Sequence, residues 1–428
     1  MDKKKQENSK DQSPKIEMIP EGWEVKKIDE LCILFDNKRV PLNDDIRQKM
    51  QGYIPYYGAN GIVDYIDSYI FDENLILLAE DGGNFEEWKI KPIAYKISGK
   101  SWVNNHAHVL KNKIGYSLEY IFYKLEHKDI TFYISGGTRS KLNQSALRKI
   151  VITIPNFLHE QSAIASILST LDDAIEKTYQ LIEKYKRIKQ GLMQDLFRYG
   201  IDENGQIRSE KTHKFKDSPL GRIPEEWEIV TIGNIANQLS NKNIKNYSYP
   251  VLSCSKYRGL VDSLEYFQGR RIYSENLATY KIVKNGSFAY ATNHIEEGSI
   301  GLQNLYDVAL ISPMYSVFEL SKDIDKLWLF AVLKSEKYRI IYELKTVSTV
   351  NRRGSLRWNI FSEINITLPS LSEQSRIASV LSSAEEAIEK EQSYKEKLLA
   401  LKRGLMEDLL TGKVRISPDL IKEISDKS

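Results

Sequence analysis

Two cysteines in a chain of 428 residues, Cys32 and Cys254, match no disulfide or metal spacing and read as free, buried thiols of a reducing cytoplasm. No stretch approaches the roughly eighteen apolar residues of a membrane span, so no membrane segment is expected. The opening MDKKKQENSKDQ is charged and has no apolar run, which predicts a disordered tail over residues 1–14 and no signal peptide. An excess of one charge is missing too: 61 Lys and Arg against 58 Asp and Glu leave a net +3. That is short of a generic nucleic-acid binder, so basic groups that meet a polyanion have to be gathered locally. Catalytic signatures are equally scarce. There is no Gly-x-x-x-x-Gly-Lys-Ser/Thr phosphate loop, no Gly-x-Gly-x-x-Gly after a strand, and no Asn/Asp-Pro-Pro-Tyr/Phe of a DNA amino-methyltransferase.

What the chain does have is a long repeat. EQSAIASILSTLDDAIEKTYQLIEKYKRIKQGLMQDLF, Glu160 to Phe197, returns 213 positions later as EQSRIASVLSSAEEAIEKEQSYKEKLLALKRGLMEDLL, Glu373 to Leu410. In the first copy Ile164, Leu168, Leu171, Ile175, Ile182, Tyr185, Leu192 and Leu196 recur at steps of three, four and seven, one face of a helix with a coiled-coil seam. The second keeps Ile377, Leu381, Ala384, Ile388, Leu398, Leu405 and Leu409, but Glu391, Lys395 and Lys402 interrupt the stripe and predict a weaker seam. Ser370 with Glu373 makes a capping box, Asn156 can cap the earlier copy, and Gly200 and Gly412 stand where a left-handed C-terminal residue is wanted. At about 1.5 Å per residue each copy reaches roughly 57 Å, long enough to hold two objects a fixed distance apart. Gly191 and Gly404, inside the helices, admit two readings: a close approach by another backbone or a partner, or a simple kink.

The flanks repeat as well. IPEGWEVKKIDEL from Ile19 matches IPEEWEIVTIGNI from Ile223, and Arg139, Leu142, Ile150, Ile152, Ile154 and Pro155 match Arg353, Leu356, Ile364, Ile366, Leu368 and Pro369. Between these landmarks the halves diverge. Short β-branched and aromatic runs (NLILLAE, KPIAYKI, KNGSFAYA) alternate with Gly and Asn turns, and SLEYIFYKLEH and KLWLFAVLKSEKY read as helices. The predicted layout is a globular α+β domain over 15–155, a helix over 156–200, a polar linker over 201–222, a second α+β domain over 223–369, a second helix over 370–412, and a C-terminal tail over 413–428. Divergent domains on a repeated frame suggest domains that choose and a frame that measures.

The phrases FKDSPLGRIPEEWEIV, IPNFLHEQSAIASILSTLDDAIE, LPSLSEQSRIASVLSSAEEAIE, LKRGLMEDLLTGKVRI and YYGANGIVDYIDSYIF resemble the specificity subunit of Type I restriction-modification systems, in the family's order and over nearly the whole chain. The resemblance implies a pseudo-twofold, duplicated architecture. Two target-recognition domains each read half of a bipartite, asymmetric DNA sequence, separated by two antiparallel helices that act as a spacer. It also implies double-stranded DNA as ligand and, as partners, two methyltransferase subunits carrying S-adenosylmethionine and two restriction subunits using ATP and Mg2+. No catalytic residue, cofactor or metal is expected in the chain itself, and the setting is the cytoplasm.

Candidate DNA contacts cluster near the end of each domain. Arg139, Lys141 and Asn143 lie in a Gly-rich turn with Arg148 and Lys149 following, and Asn351, Arg352, Arg353 and Arg357 occupy the equivalent place in the other half. Cations on such loops neutralise phosphates, and Arg, Asn and Gln side chains read base edges. The bland alternative is solvated turns. Weaker candidates, equally surface or core, are Lys38 with Arg39, Tyr56-Tyr57 with Asn60, Lys256 with Arg258, Arg270 with Arg271, and Asn293-His294. Asn104-Asn105-His106-Ala107-His108 sets two imidazoles at a strand spacing, but with no acid or thiol nearby in sequence a polar loop is preferred to a metal site. Asp81-Gly82-Gly83-Asn84 reads as a turn, and Pro418-Asp419 with Lys422 resembles a nuclease motif too faintly to carry one. Two rival functions stay open from the residues alone: a stand-alone methyltransferase or nuclease with unrecognised motifs, and a coiled-coil scaffold with no DNA role.

Overall fold

The computed structural model describes residues 19–136, 140–347 and 355–427, and they fold as two units. One holds the described residues up to Tyr179 together with those from Ser393 onward; the other runs from Gln180 to Gln392. The division passes through both long helices, Leu158–Tyr199 and Leu371–Thr411, so each unit owns half of each. The helices are therefore not free-standing segments: their apolar stripes complete the domain cores. In the first unit Ala163, Ile164, Ala165 and Leu168 share a core with Leu409 and Leu410; in the second Leu196 shares one with Ile377, Ala378 and Leu381. The start of one helix thus meets the end of the other in each unit, an antiparallel pairing.

Each unit carries two four-stranded sheets. In the first unit, one sheet runs Cys32–Leu34, Ala107–Asn112, Leu75–Ala79, Ala94–Ile97, all antiparallel. The other runs Gly61–Ile66, Gln51–Gly58, Lys100–Val103, Phe71–Asp72, with one parallel pairing between its two inner strands. In the second unit the orders are Ala236–Leu239, Tyr315–Leu320, Phe288–Ala291, Ile300–Leu302 and Gly259–Asp262, Val251–Ser255, Val308–Ile311, Lys281–Lys284, the inner pair again parallel. Taken in chain order, the two topologies are the same strand for strand. Even the short ribbon joining opening and closing phrases recurs, Trp23–Lys27 with Val151–Pro155 and Glu228–Thr231 with Asn365–Leu368.

The reason lies in the central strands, which are covered on both faces and so read as unbroken apolar runs. In LILLA, Leu75 and Leu77 pack with Phe71 and Val103 of the second sheet, while Ile76 and Leu78 pack with Tyr120 and Ile121 of the helix Leu118–Glu126. In FAYA, Phe288 and Tyr290 pack with Trp328 and Leu329 of the helix Lys326–Leu333, and Ala289 faces Leu252 and Val283. Different residues meet the same demand. The two free thiols sit in these domains, where burial pushes both up to about 12.

Several local expectations are adjusted by tertiary contacts. No side-chain cap from Asn156 is present among the described residues: its backbone N–H goes to Gly22, and Phe157 holds the cap position, its carbonyl accepting from Glu160 N. The Ser370–Glu373 box is half made. Ser370 Oγ accepts from Glu373 N at 3.3 Å, but the carboxylate is drawn to an Arg and a Trp instead of back to the cap. The stretch read as a tail ends in a helix, Pro418–Lys427, whose Ile421 and Ile424 pack on the first unit's core at helical spacing. Residues 1–18 lie outside the described residues.

Candidate nucleic-acid interface

The repeated phrases converge on two matching junctions. In the first unit Trp23 Nε1 donates to Glu160 Oε1 at 3.3 Å, and Arg415 reaches the same carboxylate through Nε at 2.9 Å and Nη2 at 3.1 Å. In the second, Trp227 Nε1 donates to Glu373 Oε2 at 3.1 Å, Ile201 N to Oε1 at 2.9 Å, and Arg208 Nη2 to Oε2 at 3.2 Å. Each carboxylate heads one long helix, and each arginine follows the end of the other. The next residue repeats the pattern. Gln161 accepts from Ser117 N and donates to Pro155 O; Gln374 accepts from Asp325 N and donates to Pro369 O. Opening tryptophan, domain helix, closing strand and long helix are thereby tied at one point in each unit. Only the capping role of Glu373 was legible in the sequence; the signal that could have found the junction is the repeat of Gly-x-Ile/Val-Arg at 205–208 and 412–415.

The thirteen apolar seam residues lie inward. Ile164, Leu168, Ile182, Leu196, Ile377, Leu381, Ile388, Leu398 and Leu409 are buried, and Leu171, Ile175, Leu192 and Leu405 are half-buried. The polar interruptions are accommodated by pairing. Lys402 meets Asp172 at 2.7 Å and Glu126 at 3.1 Å, and Lys395 stands 5.6 Å from the Tyr179 ring. At the matching positions of the repeat Lys189 pairs with Glu385. Neither Gly191 nor Gly404 faces another backbone among the described residues, since an added Cβ would meet nothing of them within 4 Å.

The basic candidates divide. Lys141 and Arg39 converge on Glu80, at 3.1 and 2.6 Å, and Arg39 also donates to the carbonyls of Asp36 and Ala107. Arg39 is thus largely engaged within its domain. Asn143 Nδ2 donates to Ser135 Oγ, Arg148 pairs with Asp29, and Lys149 is exposed. Lys38 is exposed, its Nζ 3.9 Å from the Phe35 ring centre. In the other unit Lys256, Arg258, Arg270, Arg271 and Arg357 are all exposed, with Arg271 stacked near Tyr273. Arg139, Asn351, Arg352 and Arg353 lie outside the described residues. What the structure does describe is where their loops end. Leu142 N donates to Glu80 O and Leu356 N to Thr292 O, and both leucines are fully buried. One anchor therefore holds the candidate loop in each unit.

The histidines of the Asn104–His108 stretch do have acidic partners, brought from elsewhere in the chain. His106 Nδ1 lies 2.7 Å from Asp81, and the buried His108 bonds Asp36 through Nδ1 and the Leu142 carbonyl through Nε2. Burial alone would push Asp36 up, but the hydrogen bond and charge of His108, the Val109 N–H and Arg39 hold it below its ordinary value. Glu80 is likewise held down against burial by Arg39 and Lys141. The network ties the loop anchor to the sheet and gathers no metal-ligand set. Among the described residues the one group of three or more His, Cys, Asp or Glu side chains with ligand atoms within reach of one another is His294, Glu296 and Glu297.

The described residues thus form a duplicated α+β fold with paired long helices, with Leu142 and Leu356 anchored alike in the two halves. The chain belongs to the family of the Type I restriction modification DNA specificity domain, whose model matches residues 20–186 and 224–399. It is 30% identical over 424 residues to the Type I restriction enzyme MjaVIII specificity subunit of Methanocaldococcus jannaschii, covering 93% of this chain and 94% of that one. The crystal structure of the Type-I restriction-modification system S subunit from M. genitalium shares the fold, with a TM-score of 0.60 at 16% identity, over 91% of this chain and 96% of that chain. No helix among the described residues is long and apolar enough to cross a membrane.

Proposed function

We propose that this chain is the DNA-reading part of a Type I restriction-modification complex in the cytoplasm, each α+β domain recognising one half of a bipartite, asymmetric target. The long helices set the distance between the halves and dock two methyltransferase subunits. Gly191 and Gly404, open within this chain, offer backbone to such a partner. The chain positions DNA and performs no chemistry. Methyltransferase subunits supply S-adenosylmethionine and methylate a flipped-out adenine, and two restriction subunits use ATP and Mg2+.

The observation that carries this reading is one strand order built twice on unlike sequences, with the candidate loop anchored at the same backbone position in each. Purified chain mixed with DNA, labelled methyl donor and Mg2+ is expected to give no turnover, whereas addition of its methyltransferase yields methylation and binding that weakens with rising salt. Turnover by the chain alone, or no DNA binding with the methyltransferase present, would overturn it.

A further inference from the structure

In the second unit the strand Ala236–Leu239, the turn 313–314 with the start of the strand Tyr315–Leu320, and the segment 355–359 border an open cleft of about 620 Å3. Gln238, Asn293, Tyr315, Arg357, Trp358 and Asn359 line it, and three of these end in carboxamides. Gln238 is exposed, yet its amide is held: Nε2 donates to Ser316 Oγ at 3.1 Å, and Ser316 is 2% exposed on the neighbouring strand. Its second N–H and its Oε1 have no partner among the described residues, nor does the side chain of the exposed Asn359. A carboxamide offers an acceptor and a donor side by side, the complement of the N6–H and N7 edge of adenine in the major groove. Arg357, exposed and without an ion-pair partner among the described residues, supplies a cation beside these amides.

The first unit presents different chemistry at the same place. Its strand Ala107–Asn112 is the counterpart of Tyr315–Leu320, and the matched pairings of Ala79 with Ala107 and Ala291 with Tyr315 set His108 where Ser316 stands. There the buried His108, bonded to Asp36, replaces the serine that holds Gln238, and by the strand registers Leu34 stands where Gln238 does. Two unlike side-chain sets at one topological position are what two unlike half-sites require.

We infer that this cleft reads the second half of the target, with Gln238 and Asn359 bonding the major-groove edge of at least one adenine and Arg357 meeting a phosphate. The inference rests on the DNA-reading role proposed above and adds the residues and the base. Methylated adenines are mapped in DNA from cells carrying the chain and its methyltransferase, wild type or with Gln238→Ala, Asn359→Ala or Gln238→Glu. Each alanine variant is expected to keep the first half-site and to lose discrimination at one A·T pair of the second by roughly ten-fold or more. Gln238→Glu, equal in size, is expected to shift that position toward cytosine, whose N4 amine a carboxylate accepts; it decides the matter if Gln238→Ala fails to fold. Second half-sites unchanged in Gln238→Glu and Asn359→Ala would overturn the inference and leave the DNA-reading role intact. A wild-type chain that yields no bipartite motif would overturn both.

Discussion

Glu373→Ala is expected to destabilise the second unit by about 3–5 kcal/mol, the usual cost of leaving one member of a buried ion pair alone. Arg208 and Glu373 side chains are 7% and 3% exposed, and the carboxylate also receives the Trp227 indole and the Ile201 amide. Its removal strands a guanidinium whose other partner, Glu226, is largely in solvent. The matching junction gives the internal comparison. Arg415 is 44% exposed, so water solvates what Arg415→Ala uncovers and Glu160 keeps its Trp23 bond; a smaller loss is expected. Urea unfolding followed by tryptophan fluorescence measures both. A loss near zero for Glu373→Ala would show that the junction does not hold helix and domain together, and equal losses would show that the burial of the arginine does not set the difference.

Gly200→Val carries the second large effect. Gly200 has φ +70°, where a Cβ costs roughly 1–2 kcal/mol on backbone sterics alone. A side chain there would also run into Glu373 Oε1 and stand 2.6 Å from the fully buried Trp227 ring. With neither able to retreat, the total should reach several kcal/mol. Gly404→Ala is the contrast. That helix position faces open space, so alanine should stabilise the isolated chain by up to about 1 kcal/mol. A Tm that falls for Gly200→Val and rises for Gly404→Ala is the expected pattern. A Gly404→Ala chain that keeps its stability but loses methyltransferase binding would mark the glycine as a docking point.

The parts of the molecule legible in its sequence are those that repeat. Ile164 to Leu196 and Ile377 to Leu409 show their helical period because one face of each helix is buried along its length. NLILLAE and KNGSFAYA read as strands because both of their faces are covered. Long-range pairings were not legible. Nothing near His106 or His108 in sequence announces Asp81 and Asp36, and nothing near Glu373 announces Arg208, 165 residues away. The stripe interrupted at Lys402 looked like a weak seam because Asp172 and Glu126 come from other segments. Ile421 and Ile424 were hidden among charges, two apolar residues being enough to seat a short helix but too few to show a period. The candidate interface was visible only as basic residues in a Gly-rich turn. That Arg39 is engaged by Glu80 while Arg357 is exposed depends on folding, not spacing.

Under the proposed function the paired helices fix the distance between two readers. Lengthening both helices by the same two turns, about seven residues, inserted at matching positions of the repeat, tests it directly through the map of methylated adenines in cells that also carry the methyltransferase. The account predicts the same two half-site sequences with a longer nonspecific spacer between them. An unchanged spacer, or altered half-sites, would contradict it.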